Sequence, residues 1–127
     1  MKVLLTAFDA FGGESINPAQ EAVRLVRAES FDAEIVKMDI PTVFDKSIKL
    51  VLRAMKKHKP NVVLCVGQAG GRSEITPERV AINIDDSRGT DNEGNQPVDR
   101  TIFADGAAAY FSLLPIKAMV AAMKDAG

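Results

Sequence analysis

A three-layer α/β/α sandwich with a mostly parallel, mixed sheet is the fold this sequence predicts, and three observations point to it. Apolar runs at 2–7 (KVLLTA), 33–40 (AEIVKMDI) and 61–66 (NVVLCV) have the length and composition of strands. Segments with helical spacing separate them, which is the alternation of successive βαβ units. Gly12, Gly13, Pro18, Pro41 and Pro60 punctuate the junctions.

The first run is continuously apolar, as a strand covered on both faces of a sheet must be. A loop, FDAFGGES (8–15), leads from it into INPAQEAVRLV, which carries helix-start chemistry. Asn17 is the predicted N-cap, Pro18 takes the first helical position, and Gln20 has capping-box spacing. Ala22, Val23, Leu25 and Val26 supply the apolar face of a helix expected to end near Ala28.

The second run stops at Pro41. Phe44, Ile48, Val51, Leu52 and Met55 then recur at helical spacing, with Asp45 near the start and KKHK (56–59) at the end. That polarity suits the helix dipole. Pro60 closes the helix and the third run follows. Residues 76–84 predict another strand whose direction differs, since no helix separates it from the third.

From Asp85 to Gly106 the chain is polar and rich in turn residues, and a loop this long is usually functional or disordered. Pro115 opens a last helix, PIKAMVAAMKDA, with Gly127 at a C′ position. An α/β unit would next deliver a strand. Residues 1–127 are therefore expected to be a single α/β domain, incomplete at its C-terminus.

The chain's 127 residues are 46% hydrophobic and 26% charged, within the range of water-soluble globular domains. Its 16 basic and 17 acidic residues leave a net charge of -1, which gives no electrostatic case for nucleic acid or an anionic membrane as a partner. No apolar run approaches a membrane span, and the N-terminus lacks a signal-peptide pattern. A single cysteine, Cys65, excludes an internal disulfide and fits a reducing compartment, so the expected location is the cytoplasm.

Several residues could carry chemistry. Cys65 and His58 are the only thiol and the only imidazole. Cys65 lies in the densest apolar run and is expected to be buried as a small hydrophobe, while His58 complements a helix end. The turn FGGESINP meets a helix N-terminus but lacks the spacing of a dinucleotide fingerprint and a P-loop lysine, so nucleotide binding is disfavoured. Asp85, Asp86, Asp91 and Glu93 do not follow calcium-loop spacing and read as a solvated turn; no metal and no cofactor are expected. Glu78 follows Pro77 and precedes the apolar run RVAINI. A carboxylate at the start of an inner strand needs a partner. Arg72, Arg79 or Arg88 could supply an ion pair, or Glu78 could orient an imidazole; spacing alone favours the ion pair.

The stretch GQAGGRSEITPERVAIN (67–83) resembles the glutamate signature of the pyroglutamyl peptidase I family. TAFDAFGGESINPAQEAV, DIPTVFDKS, DNEGNQPV and AAYFSLLPIKAM match the same family in the same order, across essentially the whole chain. The resemblance implies an α/β/α cytosolic cysteine peptidase that removes N-terminal pyroglutamate from peptides and assembles as a homo-oligomer, commonly a tetramer.

It also implies roles for particular residues. Glu78 matches the triad glutamate, which orients and polarises the histidine, and Arg88 an arginine near the oxyanion. Phe8 and Phe11 match the aromatics that sandwich the pyroglutamyl ring. Gln68 and Asn17 match polar residues that shape or support the pocket, and Thr42 belongs to the nearby PT segment. An uncharged lactam suits such a pocket, which would leave a free α-ammonium desolvated and unpaired. The sequence departs from the family pattern at Ala7 and Ala10 and at Gly89-Thr90. Cys65 and His58 match neither the family's nucleophile nor its histidine, whose positions the resemblance puts beyond Gly127. These 127 residues alone are therefore expected to be inactive, with a non-catalytic pyroglutamate-binding or interaction module as the alternative.

Overall fold

The run KVLLTAF forms β1 (Lys2–Phe8), the central strand of a three-stranded sheet in the order β2-β1-β3. The computed structural model describes residues 1–127. Two units cluster by their contacts, one of Met1–Ala69 with Gly89–Gln96, the other of Gly70–Arg88 with Pro97–Gly127.

In the first unit β1 is followed by α1 (Pro18–Leu25), β2 (Glu34–Ile40), α2 (Lys46–His58) and β3 (Val62–Val66). All pairings are parallel, with Leu5 opposite both Lys37 and Leu64. Because β1 is flanked on both sides, Leu4, Leu5, Thr6 and Ala7 are all buried, as its continuous apolar run requires. Successive side chains alternate between faces. Leu5 and Ala7 join Val23, Val26, Ile35, Leu64 and Val66 in one cluster beneath α1. The chain moves one way along the sheet to β2 and the other way to β3, so right-handed crossovers put α1 and α2 on opposite faces. This is the expected parallel sheet flanked by helices.

Local chemistry sets the helix ends. Asn17 is extended (φ -107, ψ 115), its Oδ1 accepts the Ala19 N–H at 2.9 Å, and Pro18 occupies the first turn. The helix ends at Leu25 rather than near Ala28, because Val26 (ψ 120) has left helical geometry. Lys56, Lys57 and His58 fill the last turn of α2.

One expectation is corrected. Cys65 is exposed, not buried. Its strand is an edge, and α2 packs chiefly on β2 and β1, leaving the Cys65 side of β3 less covered.

In the second unit the expected strand at 76–84 is broken in two. β4 (Val80–Ile82) pairs antiparallel with β7 (Ala109–Phe111), and β5 (Ile84–Asp85) with β6 (Arg100–Thr101). The antiparallel segment therefore forms short two-stranded pieces of its own instead of joining the parallel sheet. Asn83 sits at the break and is buried. Its N–H donates to the Ala108 carbonyl (2.9 Å), Oδ1 accepts the Phe103 N–H (2.9 Å) and Nδ2 donates to the Phe103 carbonyl (2.8 Å). Two stretches of chain, 102–103 and 108, are thus tied to one buried amide residue, which satisfies groups that a longer ladder would have paired. The final helix, α3, spans Ile116–Ala126. No helix is long and apolar enough to cross a membrane.

Candidate active site

In an open parallel sheet, ligands bind outside the carboxyl ends of the strands. In the first unit those ends are Phe8, Ile40 and Val66, and the loops leaving them carry Phe11 and Asn17, Thr42, and Gln68. Five sequence-predicted pocket residues therefore share one edge of one sheet.

The node at that edge is Asp9, which the sequence did not single out. Its N–H extends the β1 ladder to the Ile40 carbonyl (2.9 Å). Its own carbonyl accepts from Asn17 Nδ2 (3.0 Å) and Thr42 Oγ1 (3.2 Å). Its carboxylate Oδ1 accepts from the Thr42 N–H (2.7 Å) and from Asn92 Nδ2 (3.3 Å), whose second contact is the Ala10 carbonyl (2.8 Å). Asn17 Nδ2 and Thr42 Oγ1 thus both donate to the backbone between Phe8 and Phe11. Phe8 is half-buried at the end of β1, and Phe11 remains 36% exposed. Gly12 (φ 67) and Gly13 (φ 83) then turn the chain toward α1 in a region of backbone space that favours glycine. Gln68 is exposed just past β3.

The turn 91–95 is solvent-exposed at 92–95, as expected, but Asp91 also ties it to the rest of the first unit. Asp91 Oδ2 accepts the Phe44 N–H (2.8 Å) and Asn95 Nδ2 (2.9 Å). Its Oδ1 accepts the N–H groups of Glu93 (2.9 Å) and Asn95 (2.8 Å). Desolvation pushes the Asp91 carboxyl up, but the Asn95 side chain and the backbone N–H groups of Phe44, Asn95 and Glu93 together outweigh it and bring the pKa down to about 2. The acidic cluster does not act as one group. Asp85 pairs with Arg100 (2.6 Å) and Asp86 accepts the Asp99 N–H (3.1 Å) in the second unit, whereas Glu93 pairs with Lys46 in the first.

Glu78 and Arg88 belong to the second unit. Arg72 Nη1 donates to Glu78 Oε1 at 2.8 Å and to Thr76 Oγ1 at 2.7 Å. The ion pair is present, but the dry setting anticipated for it is not: the Glu78 side chain is 72% exposed. Arg88 is exposed as well. An open carboxylate held by one flexible arginine can exchange that partner for another cation at little cost. The signals that could have found Asp9 and Asp91 are weak ones: an Asp between two aromatic loop residues, and a DNEGN turn.

A family model described as pyroglutamyl peptidase matches residues 1–127. A pyrrolidone-carboxylate peptidase of Alkaliphilus oremlandii is 61% identical over 126 residues, covering 99% of this chain and 59% of that protein. One from Clostridium botulinum is 59% identical over 127 residues, covering 100% of this chain and 60% of its own. The crystal structure of Bacillus amyloliquefaciens pyroglutamyl peptidase I superposes with a TM-score of 0.94 at 54% identity, over 99% of this chain and 62% of that one. A mutant pyrrolidone carboxyl peptidase from Pyrococcus furiosus gives 0.95 at 38% identity, over 100% and 62%. The chain thus spans about three fifths of the length of the relatives it matches. With a match along its whole length and a sheet edge built from the same segments that the sequence resemblance rests on, the chain belongs to the pyroglutamyl peptidase family.

Proposed function

We propose that these residues form the pocket and the glutamate arm of a cysteine-type omega-peptidase that removes N-terminal pyroglutamate from peptides. The observation that carries this reading is the Asp9 node. Asn17, Thr42 and Asn92 together hold the backbone between Phe8 and Phe11, so that two aromatic side chains leave a fixed loop at the carboxyl edge of the sheet. Flat apolar walls suit an uncharged five-membered lactam, and Gln68 or nearby backbone would meet its N–H and C=O. An ordinary N-terminus would bring an ammonium into the same space without a counter-charge, at a cost of several kcal/mol.

In this reading Glu78 orients the imidazole that activates the thiolate, and Arg88 stands near the oxyanion. Glu78 would exchange its exposed bond to Arg72 for one to the imidazole. Cys65 and His58 are not assigned to the reacting pair: one is the next-to-last residue of β3 and the other ends α2. The nucleophile and imidazole are expected from sequence outside these 127 residues, and a single domain continuing beyond them, cytoplasmic and assembled with copies of itself, is part of the same proposal. The test is calorimetry with 5-oxoproline together with hydrolysis of a pyroglutamyl chromogenic amide by the purified 127 residues. Binding without turnover is expected. Thiol-dependent hydrolysis would overturn the exclusion of Cys65, and a folded sample that binds nothing would remove the pocket.

A further inference from the structure

We propose that Asp91 and Asn92 are positioning residues for the lactam pocket, gripping the Asp9–Phe11 loop and the Thr42–Phe44 segment from a single turn. The inference rests on the pocket reading above and extends it to two residues that touch no part of the candidate substrate.

Asn92 holds both segments at once. Its Nδ2 donates to the Ala10 carbonyl (2.8 Å) and Asp9 Oδ1 (3.3 Å), and its backbone N–H donates to the Thr42 carbonyl (3.1 Å). Asp91 takes the next amide along, the Phe44 N–H, at 2.8 Å. That amide precedes a tight turn. The Lys46 N–H donates to the Phe44 carbonyl at 2.7 Å across Asp45, whose φ is 61 and ψ -31. This is a γ-turn of the strained, positive-φ kind, and such a conformation persists only where surrounding contacts over-determine it. Asp91 and Asn92 provide such contacts, whereas the neighbouring Glu93–Lys46 ion pair is exposed to solvent and contributes little. Asp91 is itself held by Asn95 and by two N–H groups of its own turn, so it acts as a fixed post.

A pocket that recognises a neutral ring depends on where its walls stand, and a shift of about 1 Å is costly. Releasing Ala10 and Asp9 frees the Phe8–Phe11 loop on one side only, since Asn17 and Thr42 remain. The fold should therefore survive while the pocket loosens.

The experiment compares Asn92→Ala, Asn92→Asp, Asp91→Ala and Glu93→Ala with the unaltered protein, measuring 5-oxoproline affinity by calorimetry, thermal midpoint, and amide hydrogen exchange. Asn92→Ala is expected to weaken binding about tenfold with a nearly unchanged midpoint, the equivalent of two modest hydrogen bonds. Asn92→Asp keeps the shape but sets a carboxylate against Asp9 and should bind more weakly than Asn92→Ala, a difference that a merely space-filling role would not produce. Asp91→Ala should accelerate exchange at the Phe44 amide, and Glu93→Ala should leave affinity within about twofold, as the loss of one exposed ion pair implies. If the unaltered protein binds and both Asn92 variants bind equally well, the positioning role is overturned and the pocket stands. If the unaltered protein does not bind while the variants still loosen the loops, both fall, and the turn is only architectural.

Discussion

Asn17 joins the start of α1 to the backbone of Asp9: its Oδ1 caps Ala19 at 2.9 Å while its Nδ2 donates to the Asp9 carbonyl at 3.0 Å. The residue is 1% exposed, so neither bond can be replaced by water without opening the structure. Asn17→Ala removes the cap and the tie together and should cost about 2–3 kcal/mol, read by urea denaturation. Asn17→Asp keeps the cap acceptor but turns an oxygen toward the Asp9 carbonyl. It should rescue little; stability equal to the parent would show that the Asp9 tie contributes nothing.

Asp91 makes stability depend on pH in a defined window. Its pKa is about 2 in the folded chain against the ordinary 3.8, so the unfolded chain binds the proton more readily. The contribution is complete above 3.8, declines as pH falls, and is gone below about 2. Asp91→Asn should flatten that part of the stability profile. A variant whose profile between pH 4 and pH 2 overlays the parent would refute the assignment; pH-dependent denaturation is the measurement.

The Arg72–Glu78 pair should matter little for folding. Both side chains are at least half exposed, so Glu78→Gln should change stability by less than about 1 kcal/mol, with any effect screened by salt. Under the proposed function the same substitution reduces activity of the complete enzyme. A large loss of stability would instead make Glu78 a structural residue.

Gly106 has no room for a side chain. A Cβ there would lie 2.8 Å from Tyr110 Oη, 2.9 Å from Asn83 Nδ2 and 3.0 Å from Phe103 Cβ. Gly106→Ala should therefore displace the Asn83 amide that ties the second unit and cost about 1–3 kcal/mol. An alanine variant as stable as the parent, with the Phe103 amide still protected from exchange, would contradict this.

The regular elements were legible because their causes are local. A strand covered on both faces must be continuously apolar, and KVLLTAF is; an N-cap needs an acceptor beside a proline-started helix, and Asn17-Pro18 supplies it. The family resemblance was legible for the same reason, as contiguous segments in order. Burial was less so: Cys65 sits in an apolar run yet is exposed, because run composition does not say which strand becomes an edge. The break at Asn83 likewise interrupts what reads as one strand, since the partners of its amide come from 102–103 and 108.

By itself, then, the sequence determined the α/β class, the order of helices and strands in the first unit, the family, and the pocket residues proposed from it. The tertiary structure alone decided what holds the loops at the carboxyl edge of the sheet. Asp9 meets Asn92 across 83 positions of chain, and Phe44 meets Asp91 across 47. No periodicity, cap or turn signal spans such distances, because those bonds form only after the parallel sheet has brought its loops to a common edge.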